Sequence, residues 1–277
     1  MSASRMKNLI LLILTLCALG LLCIVVPNRL AQTHEQRQML QELKTLYESY
    51  GLSVLLDELP RSPVLYSVEL SEDGAQTAAQ ALLGAKAAPA GESGFESTYE
   101  SELGTLHITR TGGFSAVMTG GSRVRSSEKA AEKLLRAMDF QYQTLTREQT
   151  ETGAVQIRTS QTLLGVPVLG SQLALTYTDD CLTAVEGTFY TGGSSITRVS
   201  EQESISAADA LAQLLARRDA LGWVGSAVTG LTQAYLPSDQ AGTGIRFVPV
   251  WLVETDAGSF FYQRHYARNH GGNIASA

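Results

Sequence analysis

Eighteen consecutive residues without a charge, Leu9 to Val26 (LILLILTLCALGLLCIVV), constrain this chain more than any other feature. As a helix rising about 1.5 Å per residue the run spans roughly 27 Å, close to the hydrocarbon thickness of a bilayer. Arg5 and Lys7 stand just before it, and positive charge ahead of a first apolar segment holds that end in the cytoplasm. Everything after Pro27 is then sent across the membrane, with Arg29 weakening the charge asymmetry slightly. A cleaved signal peptide is the competing reading, with an apolar core of about 7–15 residues before small residues at the cleavage point. The run here is longer, and Val26-Pro-Asn-Arg-Leu-Ala31 offers no small-x-small site. Neither Cys17 nor Cys23 follows the small residue that a lipoprotein site needs. The expectation is an uncleaved single-pass anchor in the cell membrane: 1–8 cytoplasmic, 9–26 spanning, the remainder extracytoplasmic.

Composition limits what the remainder can do. Apolar residues make up 44% and charged ones 17%, the balance of a folded protein. With 21 Lys and Arg against 27 Asp and Glu and no long basic cluster, nothing is provided to grip a polyanion, and nucleic acid is excluded as a partner. The third cysteine, Cys181, is alone outside the apolar run, so no internal disulfide can staple the ectodomain. Its own core must hold it, an intermolecular bridge being the alternative.

Past the anchor the patterning predicts an α+β protein. Met39, Leu40, Leu43, Leu46, Tyr47 and Tyr50 give the segment Ala31 to Tyr50 the spacing of an amphipathic helix, closed by Gly51 as a C′ residue. Either this helix packs on its own domain or it is a juxtamembrane coil that meets another membrane protein. Pro60 and Pro63 turn the chain, which sets 27–63 apart as a juxtamembrane helix and linker.

Residues 64–122 read as a small α+β domain: an extended run Val64 to Leu70, a helix Gln76 to Leu83, an Ala/Pro/Gly/Ser loop Lys86 to Gly94, and strands Phe95 to Glu100, Thr105 to Arg110 and Phe114 to Thr119. Gly112-Gly113 signals a hairpin between the last two. Residues 123–200 then read as one helix followed by an antiparallel meander. Ser126-Ser-Glu-Lys-Ala caps the helix, and Ala130, Leu134, Leu135 and Met138 form its apolar face. Strands follow over Gln141 to Arg147, Val155 to Leu163, Val168 to Thr178 and Leu182 to Tyr190, with Asp179-Asp180 as a turn. Gly165-Val-Pro-Val-Leu-Gly170 is expected to interrupt the sheet, because proline cannot donate to a ladder.

Residues 201–277 repeat the scheme. Ser206-Ala-Ala-Asp-Ala-Leu opens a capped helix to about Leu221, and strands cover Ala227 to Leu236, Ile245 to Glu254 and Ser259 to Tyr266 with a turn at Asp256-Ala-Gly258. Such sheets need one covered face, and each unit's helix is the nearest cover.

Gly165-Val-Pro-Val-Leu-Gly with the following Leu-Ala-Leu-Thr-Tyr strand, Ala184-Val-Glu-Gly187 and Phe247-Val-Pro-Val-Trp-Leu-Val-Glu-Thr-Asp resemble PepSY-type units. Together with the N-terminal apolar run and Tyr50-Gly-Leu-Ser-Val to Glu-Leu-Pro60, most of residues 5 to 266 resembles the YycI/YycH family of Gram-positive bacteria. The resemblance rests on diffuse hydrophobic patterns and leaves the tail Ala267 to Ala277 unmatched. It implies a membrane-anchored, PepSY-like, non-catalytic regulator of a WalK (YycG)-type sensor histidine kinase of cell-wall homeostasis, with a YycH-like sister protein as the second candidate partner. It also implies that the membrane helix takes part in the contact, which makes Leu9, Leu12, Leu16, Leu19, Cys23 and Val26 the candidate partner-binding residues. The alternative is a PepSY-type peptidase-inhibiting or ligand-binding surface protein.

No chemistry competes with that reading. His34, His107, His265 and His270 stand at none of the spacings that bring zinc ligands together, so no metal or cofactor is expected. Gly120-Gly-Ser122 and Gly192-Gly-Ser-Ser195 match neither a serine elbow nor a phosphate loop and read as linkers. Two adjacent aspartates at 179 and 180 cannot fill a calcium shell. Trp223 and Trp251 read as core anchors rather than ligand platforms.

Overall fold

The computed structural model describes residues 34–60, 66–70, 74–93, 95–119, 125–192, 194–198, 205–239, 245–263, 266–269 and 274–276. The expected membrane span 9–26 lies outside them, as do Gly120 to Ser122. Among the described residues no helix is long and apolar enough to cross a membrane. The protein is α+β and its strands pair mostly antiparallel.

Two compact units are present, and neither is one continuous stretch of chain. The first is drawn from Met1–Pro63, Ile205–Thr232 and Val253–Ala277, the second from Val64–Ser204 and Gln233–Leu252.

The second unit is built on an eight-stranded antiparallel sheet in the order β7, β8, β9, β10, β6, β5, β4, β3. The strands are β3 (Ala88–Ser93), β4 (Glu96–Ser101), β5 (Gly104–Thr109), β6 (Gly113–Met118), β7 (Thr146–Gln149), β8 (Val155–Leu163), β9 (Val166–Thr178) and β10 (Cys181–Thr188). β10 pairs with β6, so strands from either side of residue 123 share this sheet. Its apolar face is covered by α2 (Ala75–Leu83) and α3 (Glu128–Ala137). Leu106, Ile157, Leu173, Leu175 and Val185 from the strands meet Ala78, Leu83, Ala131 and Leu135 from the helices in one buried cluster. Burying each such Leu, Ile or Val side chain contributes roughly 1.5–3 kcal/mol, which is how a unit without disulfides holds together.

Local chemistry explains the helix ends. Ser127 accepts the amide of Ala130, Glu128 sits in the first turn and Arg136 in the last, each favourable toward the helix dipole. The buried face uses Ala131 where the spacing suggested Ala130, one step round the helix. Asp139 then leaves in the left-handed region at φ 59°.

Two sequence expectations need correction. β9 runs through Pro167 rather than breaking there. Leu164 and Gly165, at φ 52° and 78°, make a two-residue turn that sets Thr162 opposite Pro167. Thr162 donates its amide to Gln141 O at 2.8 Å and not to β9. Thr162 and Pro167 are therefore a non-hydrogen-bonded pair, and the ladder never asks for the N–H that proline lacks. The stretch read as a loop before Gly94 contains β3, a fully exposed strand at the end of the sheet with a register irregularity between Pro89 and Gly91. Proline and a bulge are what an edge strand tolerates.

A second group of strands in the same unit, β2 (Tyr66–Leu70), β11 (Ser194–Arg198) and β13 (Ile245–Thr255), pairs antiparallel in the order β11, β2, β13. Gly192 to Ser195, read as a linker, thus leads into and begins a strand. Val68, Leu70, Val168, Tyr235 and Phe247 close a smaller cluster there. Burial pushes the Tyr235 phenol up to about 12, and its hydroxyl donates to Tyr66 O at 3.0 Å.

The first unit contains α1 (34–49), β1 (Ser53–Val54), α4 (Ala207–Ala216), β14 (Gly258–Gln263), the backbone strands β15 (Tyr266–Asn269) and β16 (Ile274–Ser276), and parts of two long strands. β12 (Ala227–Asp239) contributes its residues 227–232 and β13 its residues 253–255.

Candidate functional site

The candidate partner residues Leu9, Leu12, Leu16, Leu19, Cys23 and Val26 lie outside the described residues. The first described segment after them in the chain is α1, and how α1 is held decides what it can transmit. Leu40, Leu43 and Tyr47 are buried in the first unit, whereas Met39, Leu46 and Tyr50, on the adjacent stripe, are exposed. Gly51, at φ 72°, ends the helix as the sequence predicts, and Leu52 returns its amide to Tyr47 O at 3.0 Å.

The next residues are stitched into the sheet. β1 pairs parallel with β12, Ser53 opposite Ala227 and Val54 opposite Val228. Ser53 donates to Ser226 O at 2.8 Å and Leu55 to Val228 O at 2.9 Å. Packing fixes one face of α1, and a strand ladder fixes the chain beyond its C-terminal end.

Tyr47 is the centre of this arrangement. Its hydroxyl donates to Leu211 O on α4 at 2.8 Å, inside the protein, and burial holds its pKa well above the ordinary tyrosine value. The ring lies 6.5 Å from that of Trp223, which in turn is 6.5 Å from Phe260 on β14. The Arg218 guanidinium sits 5.8 Å from the Trp223 ring centroid, within cation–π range. Burial also raises Tyr262, with the nearby Tyr47 adding to the shift and Arg217 opposing it. Among the described residues, the buried hydroxyl of Tyr262 and indole N–H of Trp223 find no hydrogen-bond partner. Such groups carry a desolvation cost that only the packing around them offsets.

α4, which receives the Tyr47 hydrogen bond, is itself firmly started. Ser206 Oγ accepts the Asp209 amide at 3.1 Å while Asp209 accepts the Ser206 amide at 3.2 Å, a reciprocal capping box. Its buried face is Ala207, Ala208, Ala210, Leu211 and Leu214.

Each unit also carries an aspartate in a hairpin turn that binds a distant serine. In the second, Asp180 accepts from the Ser126 amide at 3.1 Å and from its hydroxyl, with Arg125 at 3.6 Å. In the first, Asp256 accepts the Ser226 amide at 2.9 Å and its hydroxyl at 2.8 Å. These serine bonds hold both carboxyls below the ordinary aspartate value. A depressed folded pKa gives stability that is present above the ordinary value of 3.8 and is lost as pH falls through the folded one. Thermal midpoints measured from pH 7 down to pH 3 should therefore drop, and Asp256→Asn should flatten that drop while lowering the midpoint at pH 7. An unchanged acid slope in the variant would remove Asp256 from the account.

The remaining sequence candidates are scattered. His34 lies exposed on α1, and His107 bonds Glu96 at 3.1 Å on an exposed face. His265 and His270 lie outside the described residues. Among the described residues no three His, Cys, Asp or Glu side chains converge on a metal position. Trp223 and Trp251 are both buried at 3% exposure, as core anchors should be.

No protein-family model and no curated protein sequence matches the chain. Among solved structures it is similar to an uncharacterized protein from Eubacterium rectale ATCC 33656, at 9% identity over 82% of this chain and 84% of that one, with a TM-score of 0.45. It is also similar to the Bacillus megaterium YpeB C-terminal domain, at 14% identity over 75% and 98% of the two chains, with a TM-score of 0.33.

Proposed function

We propose that this protein is a membrane-anchored extracytoplasmic regulator without catalytic activity of its own, acting laterally on a sensor histidine kinase of the WalK (YycG) type. The observation that carries the reading is the attachment of α1. A helix described from residue 34 onward, after an apolar run ending at Val26, is locked to α4 through Tyr47 and to β12 through β1. Rearrangement of α4 or Trp223 therefore pulls on the segment leading to the anchor, and a kinase whose helices prefer one anchor arrangement responds to it. The exposed Met39, Leu46 and Tyr50 extend the contact surface along the same helix. The sequence resemblance to the YycI/YycH family supplies the partner class, and a PepSY-type unit serves here as a rigid reporter of the extracytoplasmic side.

The test is a pull-down from membranes of cells expressing the full chain or a variant in which residues 9–26 are replaced by an unrelated apolar helix. A sensor histidine kinase should be recovered with the native anchor and lost with the replacement. Equal recovery with both anchors would move the contact to the ectodomain, and recovery of a protease with both would favour a peptidase-inhibiting role.

A further inference from the structure

The second unit contains a cleft of about 340 Å³ whose lining combines apolar, aromatic and acidic side chains with one arginine. That volume falls within the range of small-ligand sites. Its apolar lining comes from Leu70, Ile108 and Ile245, and Tyr99, Tyr190 and Phe95 supply three aromatic rings. Two carboxylates, Glu92 and Glu96, line it against a single guanidinium, Arg110, which is engaged within the protein; Glu96 also meets His107 Nδ1 at 3.1 Å, which leaves Glu92 as the principal acidic group.

The cleft is built rather than left over. Gln161, 3% exposed, accepts the Tyr190 amide at 3.1 Å and donates to the Tyr190 carbonyl at 2.9 Å, holding that backbone as a strand neighbour would. Ser171 donates to the same Gln161 oxygen at 3.2 Å. The Tyr190 ring lies 5.0 Å from Phe247, edge on, and rests over Gly112, where a Cβ would stand 2.6 Å from it. At the end marked by Ala75 and Thr191, the backbones of Gly74 and Gly192 approach so closely that a Cβ on Gly74 would meet Gly192 N at 2.1 Å. Glu92, also in the lining, lies near enough to the Tyr99 hydroxyl to raise its pKa, second to burial. Phe95 stands at the hairpin tip between β3 and β4, 80% exposed, with no apolar cover of its own.

We infer that this cleft binds an organic ammonium group carried on an apolar or aromatic body, its charge facing Glu92 and Glu96 and the aromatic rings and its body lying on Leu70, Ile108 and Ile245. Aromatic faces and carboxylates both attract a cation, and neither rewards an anion. The site is independent of the regulatory reading above. A free amine and a lysine side chain of a peptide present the same chemistry, and the measurement separates them.

The full chain in lipid nanodiscs is titrated calorimetrically with three probes, empty nanodiscs serving as the blank. Phenethylammonium chloride represents a free amine, acetyl-Lys-Phe-amide a peptide, and 2-phenylethanol the uncharged body. Saturable binding of at least one ammonium probe is expected, about tenfold tighter than the alcohol, with the tighter of the two identifying the source. Glu92→Gln and Phe95→Ala, both at exposed positions that leave the core intact, should each weaken that binding, the first by about two- to fivefold. Equal affinity for the alcohol, an unchanged affinity in Glu92→Gln, or no saturable binding of either ammonium probe would overturn the inference.

Discussion

Alanine at Gly187 is expected to destabilise the second unit by about 3 kcal/mol or more, from backbone strain plus lost ladder bonds. Gly187 sits in β10 with β9 on one side and β6 on the other, opposite Leu173 and Phe114. Its φ of 142° is a conformation that only glycine adopts readily, and a Cβ would stand 2.0 Å from Gln172 O. The obstacle is backbone of the neighbouring strand, so no side chain can swing aside to relieve it. Moving β10 away from β9 disturbs its ladder with β6, and the sheet has no third option. Gly153→Ala is the matched control: φ is 83°, but nothing lies within 4 Å of the added carbon. That variant should cost only the left-handed strain of about 1–2 kcal/mol. Hydrogen exchange read by mass spectrometry on the full chain distinguishes them. Gly187→Ala should lose protection throughout β9 and β10, Gly153→Ala only locally, and equal protection in the two variants would sink the argument.

Much of this fold is legible in the sequence because its signals are local. Helix starts show as Ser127 and Ser206, whose hydroxyls accept amides within their own first turns. Strands β8, β9 and β10 show as alternation, and the Asp179-Asp180 turn is where the sequence puts it, with both residues at positive φ. What is not legible depends on partners. Pro167 looks like a breaker until its register shows that its missing N–H faces away from β8. β3, with the sequence Ala-Pro-Ala-Gly-Glu-Ser, has almost no β propensity and is a strand because β4 offers it an edge. Ser194 and Ser195 read as linker and begin a strand because β2 is alongside.

The candidate site was half legible, for a reason of helical geometry. Apolar residues on α1 form two adjacent stripes, Leu40, Leu43 and Tyr47 or Met39, Leu46 and Tyr50, and both satisfy the 3.6-residue period. Periodicity predicts the helix and cannot say which stripe faces the unit. The choice is made by Tyr47, whose hydroxyl finds a carbonyl 164 residues away on α4. No local pattern encodes that pairing. The cleft is hidden in the same way, since Glu92, Tyr190 and Ile245 come from three separate stretches of chain.

Tyr47 is therefore the residue where stability and the proposed coupling can be separated by two substitutions. Tyr47→Ala should cost about 3–5 kcal/mol, the range for truncating a buried aromatic side chain. Tyr47 has 0% exposure, and its removal opens a void against Trp223 beside two polar groups that lack partners among the described residues, Trp223 Nε1 and the Tyr262 hydroxyl. Tyr47→Phe keeps the packing and deletes only the bond to Leu211 O, for a loss of about 1 kcal/mol. The two variants should also differ optically: Tyr47→Ala exposes the indole of Trp223 to water and shifts its emission to longer wavelength, whereas Tyr47→Phe leaves it in place. Alkaline titration adds a sign. The raised pKa of Tyr47 means its contribution is complete below the ordinary tyrosine value of 10.0 and fades above it, and Tyr47→Phe abolishes that part of the alkaline loss. If, as proposed, α1 transmits between the first unit and a membrane anchor, Tyr47→Phe should weaken kinase recovery from membranes while the first unit stays folded. A phenylalanine variant with unaltered recovery would leave Tyr47 a packing residue alone, and an alanine variant losing less than about 1 kcal/mol would show that α1 is not part of the unit's core.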